Sequence, residues 1–169
     1  AKGERLGLVG ESGSGKSTLA LSLMAAHKEP AQIAGGRVLV NGTDILGRSP
    51  QQVREMRLAK ISMIPQGALN SLNPVMRLRH QIVDGLRAHG LVLKSREYEP
   101  LIADLLQSVG LQQAVADMYP HELSGGMKQR VVIAISISLH PSVIIADEPT
   151  SALDVVVQRQ IVQTIQKVQ

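Results

Sequence analysis

The sequence contains no cysteine, no tryptophan and no phenylalanine, and only two tyrosines. Without thiols there is no disulfide, no thiolate metal site and no cysteine nucleophile, a pattern that fits a cytoplasmic setting. With aromatics at 1%, the core must be assembled from Val, Ile, Leu, Met and Ala. No run reaches the roughly 18 consecutive apolar residues of a membrane helix. An excess of one charge is missing too: 18 Lys and Arg against 14 Asp and Glu leave a net charge of +4. The basic residues are scattered, which favours a solvated surface over a nucleic-acid face. The histidines at 27, 80, 89, 121 and 140 lack metal-ligand spacing and read as surface or structural. What is present is 44% hydrophobic residues over 169 positions, enough for one domain with a real core and room for an inserted subdomain.

Chemistry concentrates first in Gly10-Glu11-Ser12-Gly13-Ser14-Gly15-Lys16-Ser17, which fits G-x-x-x-x-G-K-[ST]. An apolar run over 5–9 suits a buried strand before it, and a helix over 18–26 suits the residues after it, ending before Pro30. Strand, glycine-rich turn and helix start together make an anion site. The glycines let successive N–H groups converge on phosphate oxygens, and the helix N-terminus adds partial positive charge. Lys16 would reach the β- and γ-phosphates of a nucleoside triphosphate, and the Ser17 hydroxyl would sit on Mg²⁺. A second acidic element follows the apolar run Val143-Ile144-Ile145-Ala146. Asp147 would emerge at the carboxyl end of a parallel strand to support Mg²⁺, with Glu148 next to it to orient or deprotonate a water. A second anion site is expected where Ser124-Gly125-Gly126 opens a helix.

Between these motifs the pattern alternates. A strand over 36–42 ends in the hairpin signal Asn41-Gly42. A short helix over 51–57, a buried strand over 60–64 stopped by Pro65, and helices over 76–89, 97–109 and 111–118 follow. A helix over 127–139, the strand over 143–146 and a last helix over 155–168 complete the chain. Strands alternating with helices imply an α/β fold with a largely parallel sheet.

One phosphate loop and a second anion-binding helix start could serve one nucleotide only if they came from different subunits. With Leu123-Ser124-Gly125-Gly126-Met127-Lys128-Gln129-Arg130 in hand, the chain resembles the nucleotide-binding domain of an ATP-binding cassette (ABC) transporter. The order of motifs agrees: phosphate loop, Gln66 after a strand, helical insert, LSGGM, Asp147-Glu148, then Ser151-Ala152-Leu153-Asp154 at the family's D-loop position. The stretch from Gln66 to Met76, and Tyr119-Pro120-His121-Glu122 before the signature, are similar to the dipeptide, oligopeptide and nickel importers.

The resemblance implies a P-loop (RecA-like) core at 1–66 and 124–169, with a small antiparallel β part, and an inserted helical subdomain at 67–123. It implies ATP and Mg²⁺ as ligands. Residues Gly10 to Thr18 and Gln66 would contact nucleotide; Ser17, Gln66 and Asp147 would serve the metal; Glu148 would be the catalytic base. Leu123 to Met127 would cap the ATP of a partner subunit, like or unlike, and Ser151 to Asp154 would communicate across that dimer. Transmembrane permease subunits would dock on the helical subdomain near Gln66, at the cytoplasmic face of the membrane. A solute-binding protein would be engaged only indirectly, and nucleic acid is not an expected partner.

Two family parts have no counterpart here: an aromatic upstream of the loop that stacks on adenine, and a switch histidine beyond the D-loop. The chain is therefore expected to be a fragment cut at both ends that binds nucleotide weakly and turns it over poorly. Three other classes compete. A soluble ABC-type ATPase acting on DNA or ribosomes would carry coiled-coil insertions or a tandem cassette. A non-catalytic nucleotide-binding module would lack Glu148, and a P-loop kinase would have no use for LSGG.

Overall fold

The computed structural model describes residues 3–27, 29–67, 71–151 and 153–167. The order is α1 (Lys16–Leu23), β1 (Leu39–Val40), β2 (Thr43–Asp44), α2 (Pro50–Met56), β3 (Ile61–Ile64), α3 (Leu78–Arg87), α4 (Tyr98–Ser108), α5 (Gly125–Ile137), β4 (Val143–Ala146) and α6 (Val155–Lys167). Strands β3 and β4 pair in parallel, Ile61 opposite Val143 and Ile64 opposite Ala146. Because β4 follows α5 and runs with β3, α5 lies antiparallel to both strands across one face, the usual crossover. Strands β1 and β2 form the expected hairpin, with Asn41 and Gly42 at positive φ, 50° and 77°. Positive φ at both central residues is what a two-residue turn matched to strand twist requires.

The helices between β3 and α5 form because their apolar residues repeat every fourth position. Leu78, Ile82 and Leu86 line one stripe of α3, and Tyr98, Ile102 and Leu106 line one of α4, all at 3% exposure or less. These stripes continue without a break into Ile64, Val131, Ile133 and Ile161, so one core runs from the helical segment into β3, α5 and α6. A smaller core of Met24, Val40, Ile45, Val53 and Ile61 sits under the hairpin and α2. The buried Tyr98 keeps its hydroxyl paired, donating to Leu91 O at 2.7 Å and accepting from Leu93 N at 3.0 Å. Arg79 fastens the helical segment from outside. Its Nη1 donates to Glu99 Oε1 at 2.6 Å and its Nε lies 2.7 Å from Asp117 Oδ1. The hydrogen bond to Glu99 in particular raises the Arg79 pKa further above its ordinary value. His89 is structural: Nδ1 lies 2.9 Å from Gly85 O and Nε2 2.6 Å from Arg57 O.

Four sequence expectations change. The run over 5–9 is not a strand; Leu6, Leu8 and Val9 are 89%, 57% and 94% exposed. Neither β3 nor β4 pairs with it, and without a ladder partner an apolar segment has no sheet face to bury. The helix expected over 111–118 is only a 3-10 turn, Gln113–Asp117. Gly110 at φ 74° ends α4, Gln112 is extended, and five residues suffice to bury Val115 and Ala116. The first helix ends at Leu23 rather than 26 because Ala25 turns left-handed at φ 49°, and Ala26 N then closes on Leu21 O at 2.8 Å. The strand over 36–42 shrinks to Leu39–Val40. The last helix was expected to reach Val168, which lies outside the described residues, as do Ala68 to Asn70 of the Gln66 stretch.

Candidate functional site

The glycine-rich turn supplies the first part of the site. Gly13 and Gly15 have φ of 82° and 92°, which the loop needs in order to fold back before α1, and Gly15 caps that helix. A Cβ on Gly10 would stand 2.8 Å from Ser14 Oγ, so a side chain there would force the Ser14 hydroxyl to turn away. Lys16 opens α1 and curls back, its ammonium donating to Gly10 O at 2.8 Å and to Glu11 O at 2.7 Å. Ser17 beside it is half-buried, while Glu11, Ser12, Ser14 and Thr18 are exposed.

The second part is built by strand register. Asp147 N donates to Ile64 O at 2.9 Å, extending the β3–β4 ladder one step beyond the strands. Ile64 faces Ala146, so Gln66 and Glu148 each lie two residues past a matched pair. Gln66 Nε2 accordingly donates to Glu148 Oε2 at 2.8 Å. Glu148 adopts φ 45°, an uncommon backbone for a residue with a side chain. Among the described residues no hydrogen bond or ion pair joins the loop at 10–17 to Gln66, Asp147 or Glu148.

The third part is the start of α5. Ser124 is its N-cap, extended at φ −65° and ψ 161°, and its hydroxyl accepts from Met127 N at 3.3 Å. Leu123 is buried in the core, while Gly125, Gly126 and Met127 are half-buried. Asp154 caps α6 in the same way, accepting from Val157 N at 3.0 Å, next to half-buried Leu153. Ser151 is half-buried, and its N–H donates to Glu148 O at 3.0 Å. Ala152 lies outside the described residues.

Sequence reasoning missed how α5 and α6 are joined. A Cβ on Gly126 would lie 2.7 Å from Val157 Cγ1. One turn further along α5, Arg130 donates to Gln160 Oε1 at 2.6 Å and to Gly110 O at 3.3 Å. The second glycine after Ser124 is the only hint the sequence offers of so close a crossing.

A glycine-rich turn running into a helix start, and an amide–carboxylate pair at the carboxyl ends of two parallel strands, define a P-loop α/β nucleotide cassette. The family model described as "ABC transporter" matches residues 1–151, and the chain belongs to that family. It is 44% identical over 170 residues to the oligopeptide transport ATP-binding protein OppD of Lactococcus lactis subsp. cremoris (strain SK11), covering 99% of this chain and 50% of that protein. It is 41% identical over 172 residues to the dipeptide transport ATP-binding protein DppD of Haemophilus influenzae (strain ATCC 51907 / DSM 11121 / KW20 / Rd), covering 100% of this chain and 52% of that protein. The dimeric post-hydrolysis state of the ATP-binding cassette MJ0796 bound to ADP and Pi superposes with a TM-score of 0.75 at 26% identity, over 92% of this chain and 65% of that one. The chain spans about half the length of the curated relatives it matches.

Proposed function

We propose that this chain is the ATP-binding and ATP-hydrolysing portion of an ABC importer for peptides, working as a dimer of cassettes. The observation that carries the reading is the 2.8 Å contact between Gln66 and Glu148, made where a γ-phosphate and its attacking water would be handled. The loop from Gly10 to Thr18 cradles the phosphates, and Lys16 exchanges its two backbone carbonyls for β- and γ-phosphate oxygens. Glu148 takes the proton of the attacking water as the bond from the γ-phosphorus to its bridging oxygen breaks.

Among the described residues no group of three His, Cys, Asp or Glu could hold a metal alone. The donors this reading would bring to the ion are oxygens: the Ser17 hydroxyl, the Asp147 carboxylate and the Gln66 Oε1, which its amide's bond to Glu148 leaves over. That set suits Mg²⁺, which takes few protein ligands and completes its shell with phosphate and water. The bound ion would neutralise developing phosphate charge.

Residues Leu123 to Met127 of one copy close over nucleotide on the other, and Ser151 to Asp154 lie across from them. The core at 1–66 and 124–169 carries the nucleotide, and the helical part at 67–123 takes up the permease subunits at the cytoplasmic membrane face. Oligopeptides and dipeptides are named as cargo for the relatives; in this protein cargo would pass through those separate subunits.

The test is the solution mass of the intact protein carrying Glu148→Gln, with and without ATP. An ATP-dependent dimer that Ser124→Arg abolishes supports the reading. A monomer that binds ATP, or a dimer indifferent to Ser124→Arg, overturns it.

A further inference from the structure

Gln129 is 3% exposed, and its amide nitrogen has no hydrogen-bond partner among the described residues. A buried amide without a partner is costly enough that it calls for a physical reason. Its place on α5 supplies one. Ser136, seven residues on, donates to Met63 O of β3 at 3.2 Å, so this face of the helix lies on that strand. Seven residues bring a helix back to within about 20° of the same face and displace it by roughly 10 Å. Since α5 runs opposite to β3, that step moves toward the strand's carboxyl end, and about three strand residues cover it. Counting from Met63 leads to Gln66. Helical side chains also lean toward the helix N-terminus, in the same direction. The turn at 66–67 begins at Pro65, so the Pro65 carbonyl is committed to that turn; no described residue donates to the Gln66 carbonyl, and the side chain of Gln66 is engaged with Glu148.

We propose that Gln129 is a positioning residue. When nucleotide draws the turn at 65–67 inward, its amide donates to the Gln66 carbonyl and fixes Gln66 over the phosphates. This rests on the nucleotide-site reading above and deepens it. The helix that opens at Ser124 is thereby tied to Gln66 inside one chain. An unpartnered donor in the resting state and a partnered one in the loaded state mean that its bonding energy appears only with nucleotide, as coupling requires.

The experiment uses the intact protein carrying Glu148→Gln, so that binding is read without turnover. Gln129→Met keeps length and burial but has no donor, and Gln129→Leu serves as a second apolar replacement. Melting temperature without nucleotide and the dissociation constant for ATP with Mg²⁺ are both measured. The expected result has opposite signs: the resting protein melts at the same temperature or higher, while ATP affinity falls about fivefold to tenfold. A residue that merely packs would lower resting stability and leave affinity alone. Unchanged affinity, or a resting protein weakened by both variants, overturns the inference. Lys16→Ala separates the two readings. If it abolishes ATP binding while Gln129→Met leaves it untouched, only this inference fails; if it leaves binding intact, the nucleotide-site reading fails and takes this inference with it.

Discussion

Gly126 lies where a single methyl group would meet the neighbouring helix. A Cβ there would stand 2.7 Å from Val157 Cγ1, closer than carbon atoms approach, so α6 would have to back away from α5. Gly126→Ala should cost about 1–3 kcal/mol, as overpacking of a tight contact does. Chemical denaturation measures it. Because the cause is one contact, Gly126→Ala with Val157→Ala should recover most of the loss, and simple additivity would refute the steric explanation. At this scale the candidate residues were legible. Lys16, Ser17, Glu148 and Gln66 stood out because few residue types would serve the proposed roles at those spacings. Gln129 was not, because nothing in the string of letters distinguishes a buried amide without a partner from an exposed one.

Single elements hold by local devices that can be tested one at a time. Helix α2 begins with a reciprocal cap: Ser49 Oγ accepts from Gln52 N at 3.3 Å while Gln52 Oε1 accepts from Ser49 N at 3.0 Å, with Pro50 first in the helix. Ser49→Ala should therefore destabilise the protein by about 1 kcal/mol, read from the urea midpoint, and Ser49→Asp should restore most of it. Elements with strong period or strong punctuation were visible beforehand: α3 and α4 through their four-residue stripes, β4 through its apolar run, the hairpin through Asn41-Gly42. The 3-10 turn Gln113–Asp117 was read as a helix because its apolar residues satisfy either geometry. Only the left-handed Gly110 and the extended Gln112, both set by packing, decide between them.

Across the molecule, the core that runs from α3 and α4 into β3, α5 and α6 is pinned by Arg79, which reaches Glu99 on α4 and Asp117 before the signature segment. Its side chain is 27% exposed, so solvent screens part of the attraction. Replacing it with methionine leaves two carboxylates facing one another without their cation, and should lower stability by about 1–2 kcal/mol. Thermal unfolding checks this; no change in melting temperature would mean that hydrophobic packing alone holds the helical part in place.

The sequence by itself determined the glycine-rich loop before α1, the acidic pair after an apolar strand, the helix start at Ser124 and the alternation of strands and helices. Each is a local arrangement in which residue type and spacing decide the backbone form and set out the proposed chemistry. Only the tertiary structure decided three further things: the register that joins Gln66 to Glu148, the close crossing of α5 and α6 at Gly126, and the exposure of Leu6, Leu8 and Val9. All three depend on residues far apart in the chain. A ladder partner, a helix crossing or a missing neighbour strand leaves no mark on the local pattern, because burial is a property of what surrounds a segment as well as of the segment itself.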